Sequence, residues 1–186
     1  MLAMVDLDGT LIDTKDINYA AYKMALEESG YNDLRYDQFC NDFNGLNYKI
    51  FLRIIDPDMS FELMEKIHNR KAELYPSFMK NGKLNESLVA MLAALKASGW
   101  KIALVSAANR KNILDALKRF SVVGLFDEIV AQESVKKTKP NPECFFYTMK
   151  LFNEDPYTSI IFEDSKTGIM AAEQTGCKFY IVKGYN

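Results

Sequence analysis

Residues 2–14 read LAMVDLDGTLIDT, and this stretch decides the fold. The apolar run Leu2–Val5 predicts a short buried strand of the kind found inside parallel sheets. It leads into Asp6 and Asp8, which are two residues apart and therefore project from the same face of an extended chain. Two carboxylates at this spacing repel each other unless a cation lies between them, and Mg²⁺ prefers such oxygen ligands. An ordinary solvated turn is the alternative, because Asp-Gly also ends strands.

The composition is that of an ordinary globular protein. Its 186 residues are 48% hydrophobic and 26% charged, which suits one α/β domain or a core domain with a modest insert, as a monomer or dimer. A net charge of −2 offers no basic surface to nucleic acid. Neither a membrane span nor a signal peptide is recognisable. Three widely spaced cysteines predict neither a metal site nor a disulfide framework, so we expect a cytoplasmic protein.

The segment after the first strand is predicted to be all helical. Apolar residues recur at helical spacing in four stretches: Asp16–Ser29, Arg35–Asn44, Leu46–Ile55 and Ser60–Leu74. No strand-like run occurs between Thr14 and Lys83, so residues 15–82 are predicted to form a helical insert that leaves by a turn at Asn81–Lys83. The single histidine, His68, lies in a charged helical stretch, and we expect it to be a solvated helix residue rather than a catalytic base.

Strands and helices alternate in the remainder of the chain. Predicted strands at residues 101–105, 128–131, 159–162 and 178–182 are separated by predicted helices at residues 86–98, 110–120, 142–152 and 167–175. This order is typical of α/β proteins with a Rossmann-like, doubly wound parallel sheet. The predicted architecture is therefore such a core, built from residues 1–14 and 83–186, with a small all-helical cap inserted after the first strand.

Polar residues stand where the predicted strands end. In doubly wound sheets, ligands bind beyond the carboxyl ends of the strands. The residues found there, or in the loop that follows, are Asp6 and Asp8 after the first strand, Ser106, Ala107 and Asn109 after the second, Lys139 after the third, and Glu163 and Asp164 after the fourth. We expect them to form one site.

Four motifs occur in a characteristic order: DLDGT, a strand that ends in Ser106, the sequence KPNP, and a strand that ends in EDS. In this the chain resembles the haloacid dehalogenase (HAD) superfamily, in the branch of phosphoglycolate phosphatase-like and β-phosphoglucomutase-like enzymes. The resemblance covers nearly the whole chain. It implies a Mg²⁺-dependent phosphatase that hydrolyses a small phosphorylated metabolite through an aspartyl-phosphate intermediate.

The resemblance also implies roles for individual residues. Asp6 would be the nucleophile, and Asp8 the general acid and base that also lends its carbonyl to the metal. Asp164 and Glu163 would complete the Mg²⁺ site. Phosphate would be held by five residues: Gly9, Ser106, Ala107, Asn109 and Lys139. The structural alternative is that Ser106 caps the helix after its strand, and that Glu163 and Asp164 cap the last helix together with Ser165.

Departures from the family pattern bear on the choice of reaction. The sugar-phosphate mutase branch carries a histidine where this chain has Asn18, and this difference favours hydrolysis. A mutase of the β-phosphoglucomutase type stays an alternative, as does a non-catalytic module that binds a phosphorylated metabolite. The cap loop FNGLNYK retains the turn glycine, Gly45, near which the family's specificity residues lie. Asn18, Asn47, Tyr48 and Lys49 are therefore candidates to contact the substrate.

Overall fold

The structure, a computed structural model, describes residues 1–44 and 46–184 and divides them into two compact units. One unit consists of Met1–Asp13 and Lys83–Asn186, and the other of Thr14–Gly82. The first is a mixed α/β unit and the second is helical, so the predicted fold class is confirmed. Gly45 lies outside the described residues, and its interpretation as a turn glycine stays a prediction.

Parallel pairing arranges the α/β unit around its first strand. The strands are β1 (Leu2–Val5), β2 (Ile12–Asp13), β3 (Lys83–Leu84), β4 (Lys101–Val105), β5 (Glu128–Val130), β6 (Ser159–Glu163) and β7 (Lys178–Ile181). Five of them form one sheet in the order β5-β4-β1-β6-β7, with every neighbouring pair parallel. All four residues of β1 are fully buried, as expected for the central strand. The carboxyl ends of the strands therefore lie at one edge of the sheet.

The helices follow the predicted order with small shifts at their ends. They are α1 (Lys15–Glu27), α2 (Tyr36–Gln38), α3 (Tyr48–Ile55), α4 (Phe61–Phe78), α5 (Glu86–Ala97), α6 (Arg110–Arg119), α7 (Glu143–Phe152) and α8 (Lys166–Glu173). Helix α2 is one turn long and continues as a π-helix over Phe39–Phe43. Among the residues that the structure describes, no helix combines the length and the apolar character needed to cross a membrane.

Two local predictions were wrong. The predicted turn at Asn81–Lys83 ends too late, because Lys83 and Leu84 form β3. This strand pairs antiparallel with β2, so the segments of the α/β unit that precede and follow the helical unit are hydrogen-bonded to each other. Helix α4 continues past its predicted end at Leu74 to Phe78, with Pro76 inside it. Tyr75, in this last turn, is buried.

The helical unit has its own core. Helix α1 packs along α4, and Ser60 caps α4 by accepting a hydrogen bond from the amide of Leu63. The interior is rich in aromatic rings that contact each other edge-on or in stacks. Its buried residues include Tyr22, Leu26, Phe39, Phe43, Phe51, Leu52, Met64 and Ile67. Burial of these apolar side chains, rather than helix propensity, stabilises such short helices.

His68 is not the solvated helix residue that its charged neighbours suggest. Its ring is partly buried and stacks on Tyr48, with ring centres 4.0 Å apart, and its Nδ1 lies 3.2 Å from the Tyr22 hydroxyl. Burial lowers the pKa of the imidazole to about 4, and the Lys71 ammonium adds to this effect. Charged residues surround this histidine in the sequence, but the helical twist turns its own side chain toward the aromatic core.

We expect His68 to titrate near pH 4 instead of the usual value of about 6.5. Because the folded state favours the neutral ring, the unfolded chain binds the proton more readily. Stability from this group is complete above about pH 6.5 and is lost as the pH falls toward 4. The Cε1–H signal of the only histidine in the chain follows this titration by NMR without further assignment. A midpoint near 6.5 in the folded protein would contradict the described packing.

Candidate active site

The chain reverses direction directly after β1, and this brings its acidic residues to the edge of the sheet. Asp6 is buried, and its amide donates to the carbonyl of Phe162 in the adjacent strand β6. The amide of Gly9 then donates to the carbonyl of Ile12 over 2.8 Å, which closes a tight loop. Asp8 lies in this loop and is half-buried. Both aspartates therefore stay at the strand end, where the sequence predicted them.

Lys139 is the buried cation of the site. Its Nζ donates to Asp6 Oδ1 over 2.7 Å, to Glu163 Oε1 over 2.6 Å and to the Val105 carbonyl over 2.8 Å. Burial alone would lower the pKa of this ammonium, but the Asp6 and Glu163 carboxylates outweigh that effect and hold the pKa above its ordinary value. The three acceptors leave the charged form fully hydrogen-bonded, so Lys139 is a fixed positive charge beside Asp6.

Glu163 anchors the opposite side of Lys139. Its side chain is completely buried, and its second oxygen, Oε2, accepts from the amides of Asp164 and Ser165 over 3.0 and 3.2 Å. The same oxygen accepts from the Ser165 hydroxyl over 3.1 Å. Both carboxylate oxygens thus have donors, which is the condition for keeping a charged carboxylate in the interior.

Asp164 is held from the loop after β1. The buried hydroxyl of Thr10 donates to Asp164 Oδ1 over 2.8 Å, and the side-chain amide of Asn85 donates to the Thr10 carbonyl over 3.2 Å. Asn85 also caps helix α5 through its side-chain oxygen. Burial raises the pKa of the Asp164 carboxyl to about 6, with the Glu163 and Asp8 carboxylates contributing and the Thr10 hydroxyl opposing the rise.

Two glycines make room for these carboxylates. Gly9 has a φ of +89°, and a Cβ at this residue would lie 2.1 Å from Asp164 Oδ2. Gly168, in the first half of α8, lies against Glu163, where a Cβ would lie 1.9 Å from the carboxyl carbon. Both distances are far below van der Waals contact. Any side chain at either glycine would displace a carboxylate of the site.

The acidic cluster has the donor set of a hard cation. Asp6, Glu163 and Asp164 each offer a carboxylate oxygen, and these atoms all lie within 4.8 Å of one another. Lys139 is the partner of two of the three carboxylates, so the cluster keeps an excess of negative charge when all are ionised. Burial, with Glu163 and Asp164 beside it, raises the pKa of the Asp6 carboxyl despite Lys139. A divalent cation would relieve this repulsion, and oxygen ligands fit Mg²⁺.

The predicted phosphate-binding residues lie after the neighbouring strand β4. Ser106 is buried, its amide donates to the Val130 carbonyl, and its hydroxyl oxygen accepts from the Ala108 amide over 3.1 Å. The cap of α6 is not Ser106 but Asn109, whose side chain accepts from the Asn112 amide over 2.8 Å. Helix α8 is likewise capped by Ser165 rather than by the two acidic residues before it. The roles of Ser106, Ala107 and Asn109 toward phosphate stay predictions.

The four candidate substrate residues belong to the helical unit and make contacts within it. Asn18 donates to the Thr14 hydroxyl over 3.1 Å, and Asn47 caps α3 by accepting from the Lys49 amide. Tyr48 stacks on His68 and its hydroxyl donates to Glu65. The Lys49 ammonium lies 4.7 Å from the centre of the Phe61 ring. These contacts explain the residue types without a substrate, and their proposed role in specificity is untested.

Several residues that shape the site had no role assigned to them as supports of the acidic cluster, although Thr10 and Ser165 stand within the motifs DLDGT and EDS. Thr10 and Asn85 hold Asp164, Ser165 holds Glu163, and Gly168 gives Glu163 its space. One signal was available for Gly168, because a glycine inside a helix costs stability and therefore has a packing or functional reason. Asn85 gave no such signal, since its partner lies 75 residues away in the sequence.

Comparison with known proteins agrees with this arrangement. The sequence model of haloacid dehalogenase-like hydrolases matches residues 3–182. The chain belongs to this family. Its match extends over both units of the structure, and the resemblance inferred from the four motifs is confirmed.

The similar proteins include two phosphatases and a β-phosphoglucomutase. A phosphorylated carbohydrates phosphatase of Thermotoga maritima is 27% identical over 174 residues, which cover 92% of this chain and 79% of the relative. A phosphoglycolate phosphatase of Vibrio vulnificus is 27% identical over 100% of this chain and 85% of its own length. A crystal structure of β-phosphoglucomutase from Clostridium difficile superposes with a TM-score of 0.83 at 26% identity, covering 99% of this chain and 85% of that one. The phosphatases among these relatives support the predicted enzyme class, a HAD-like phosphoric monoester hydrolase.

Proposed function

We propose that this protein is a Mg²⁺-dependent phosphatase that hydrolyses a small phosphomonoester through an aspartyl-phosphate on Asp6. The observation that carries the proposal is the contact of Asp6 with the buried Lys139, beside the carboxylates of Glu163 and Asp164. A nucleophilic carboxylate, a fixed cation and an acidic pair with metal-ligand spacing are the parts that phosphoryl transfer requires. The named phosphatases among the relatives support the same reaction class.

In the proposed first step, a carboxylate oxygen of Asp6 attacks phosphorus as the bond from phosphorus to the ester oxygen breaks. Asp8 donates a proton to the departing alkoxide. In the second step, Asp8 takes a proton from a water molecule that attacks the same phosphorus, and inorganic phosphate leaves as Asp6 is regenerated. Asp8 suits this role because it is half-buried, two residues beyond Asp6, and close enough to Asp164 to influence its pKa.

Charge stabilisation is the task of the groups that surround Asp6. Lys139 is already hydrogen-bonded in a water-poor position, so no reorganisation is needed when negative charge builds up on the phosphoryl oxygens. The carboxylates of Asp6, Asp164 and Glu163 and the carbonyl of Asp8 would hold Mg²⁺. Bound there, the ion supplies positive charge that offsets the repulsion between the carboxylate and an incoming phosphate dianion. Ser106 and the amides of Ala107 and Asn109 are the remaining proposed phosphate ligands. The amide of Gly9, also predicted to bind phosphate, already donates to the Ile12 carbonyl, so we do not propose it as a ligand.

The similarity to β-phosphoglucomutase supports a second candidate, a sugar-phosphate mutase. It would use the same aspartyl-phosphate but return the phosphoryl group to another hydroxyl of the sugar. Asn18 stands where that branch carries a histidine, and we therefore favour hydrolysis. The third possibility, a module that binds a phosphorylated metabolite without turnover, does not require the contact between Lys139 and Asp6 to be maintained.

Phosphate release tests the proposal. The wild-type protein is assayed with p-nitrophenyl phosphate, phosphoglycolate, a set of sugar phosphates and nucleoside monophosphates, in Mg²⁺ and in EDTA. We expect Mg²⁺-dependent release, with the ranking of substrates identifying the leaving group. Isomerisation of a sugar phosphate that needs an activating bisphosphate would favour the mutase instead. Binding of phosphorylated compounds without either reaction would favour the non-catalytic module.

Replacing Gly9 by alanine tests whether the loop after β1 must come this close to Asp164. Gly99 offers a matched control, because its φ of +87° is similar but a Cβ there would meet nothing within 4 Å. Both variants carry the strain of a left-handed alanine, about 1–2 kcal/mol. Only Gly9→Ala should also lose activity, by about 10²-fold in kcat/KM, because its methyl group displaces the Asp164 carboxylate beside Asp6. Denaturant unfolding and phosphate release measure the two effects. Equal activity in both variants would exclude a role for the close approach.

A further inference from the structure

Helix α8 contains a glycine at a position where helix stability alone favours another residue. Gly168 is buried in α8 without a left-handed backbone, and alanine is the more stable residue inside a helix. The space beside it is occupied by Glu163. A Cβ at Gly168 would lie 1.9 Å from both the carboxyl carbon and Oε1 of Glu163, and 2.1 Å from Oε2. The carboxylate therefore occupies the volume that a side chain would take.

This carboxylate connects helix α8 to the reacting residues. The amide of Gly168 donates to the Ser165 hydroxyl oxygen over 3.0 Å, and that hydroxyl donates to Glu163 Oε2 over 3.1 Å. The other oxygen of Glu163 accepts from Lys139 over 2.6 Å, and Lys139 donates to Asp6 over 2.7 Å. A continuous set of hydrogen bonds thus runs from the first half of α8 to Asp6.

We infer that Gly168 is a positioning residue for phosphoryl transfer, because the absence of its side chain lets Glu163 hold Lys139 against Asp6. The inference rests on the proposed function for its effect on catalysis. The three atoms nearest to a Cβ at Gly168 all belong to Glu163, so Gly168 acts through that residue.

A methyl group at Gly168 forces one of two groups to move. Helix α8 is fixed by Ala171 and Ala172, which are fully buried against the sheet. Glu163 presents the end of a side chain with rotatable bonds, so its carboxylate yields first. Since Oε1 is among the nearest atoms, the displacement breaks the contact with Lys139, whose position beside Asp6 is then no longer fixed from both sides.

The first test compares Gly168→Ala with Gly124→Ala, a control at which a Cβ would meet nothing within 4 Å. We expect Gly168→Ala to lower kcat/KM by about 10²-fold, as misplacement of a catalytic group does, with the loss mainly in kcat because Lys139 acts on the developing charge. Gly124→Ala should keep the wild-type activity. Wild-type kinetics in Gly168→Ala would overturn the inference.

A double-mutant cycle separates positioning from a general packing defect. In a Glu163→Ala background the carboxylate is gone, so adding Gly168→Ala should cause no further loss of activity and should not unfold the protein. The double variant also tests the inference if Gly168→Ala alone fails to fold. In that case, removal of the Glu163 carboxylate is expected to restore a cooperative unfolding transition. Additive losses, or an unfolded double variant, would mean that the methyl group acts on the packing of α8 instead.

Crystal structures of Gly168→Ala and of the double variant give a readout that does not depend on catalysis. We expect Glu163 Oε1 to lie beyond hydrogen-bond distance of Lys139 Nζ in Gly168→Ala, with α8 unmoved. An intact contact and a shifted helix would overturn the inference. If the displacement is seen but the wild-type protein releases no phosphate from any substrate, the positioning by Gly168 stands and the proposed function fails.

Discussion

Replacement of Asp6 by asparagine is expected to lower kcat for phosphate release by at least about 10³-fold while the protein stays folded. An amide is too weak a nucleophile to form the acyl phosphate. The fold tolerates the change because the amide oxygen can still accept from Lys139, which also keeps Glu163 and the Val105 carbonyl as acceptors. The change also reduces the repulsion among the clustered carboxylates, which offsets part of the lost stability. The free energy of unfolding should therefore stay within about 1 kcal/mol of the wild type.

Asp33→Asn is the control for Asp6→Asn, since Asp33 is exposed in the helical unit and the same change of charge there should leave kcat unaltered. Freshly purified protein is needed, because deamidation of the new asparagine would restore an aspartate. Full phosphate release by Asp6→Asn would remove Asp6 from the reaction. Loss of the folded structure would instead show that the carboxylate is needed for stability.

Replacement of Lys139 by methionine is expected to cost both stability and activity. Methionine fills much of the same volume but leaves the Asp6 and Glu163 carboxylates buried without their cation. Removing one partner of a buried ion pair typically costs about 3–5 kcal/mol. Loss of the fixed charge beside the nucleophile should lower kcat by about 10²–10³-fold. Urea unfolding in EDTA and phosphate release in Mg²⁺ measure the two losses.

The stability loss in Lys139→Met should depend on pH in a defined direction. Lys139 opposes the rise that burial causes in the pKa of the Asp6 carboxyl, so without the ammonium this pKa rises further in the folded state, and protonation of Asp6 stabilises the fold. The loss should therefore be smaller at pH 5 than at pH 8. Lys137→Met is the matched control in the same loop, because Lys137 is exposed, and it should leave stability and activity unchanged. An equal loss at both pH values would contradict buried, unpaired carboxylates as its cause.

The fold could be predicted from the sequence because its signals are local. The apolar run Leu2–Val5 and the run Lys101–Val105 coincide with β1 and β4, and the alternation of strands and helices gave the parallel sheet. The strand that was not predicted depends on hydrogen-bond partners that are distant in the sequence. The two-residue strand β3 exists because β2, seventy residues earlier, offers it hydrogen bonds. No periodicity can be read from two residues.

Much of the candidate site could also be predicted, because parallel strands bring their carboxyl ends to one edge and the polar residues at those ends therefore meet. Asp6, Lys139 and Glu163 are in direct contact as a result. The supporting contacts could not be predicted in the same way. Thr10 holds Asp164 across 154 residues, and the close approach of Gly168 to Glu163 depends on the packing of α8 rather than on a motif.

The most direct measurement traps the proposed intermediate on Asp6. Wild-type protein is mixed with a substrate from the phosphate-release panel in Mg²⁺, quenched within the first turnover, and treated with borohydride, which reduces an acyl phosphate to the alcohol. Peptide mass spectrometry should then find homoserine at position 6 in the wild type and not in Asp6→Asn. Phosphate release by the wild type without modification of Asp6 under the same quench, or with homoserine at Asp8 instead, would contradict the account.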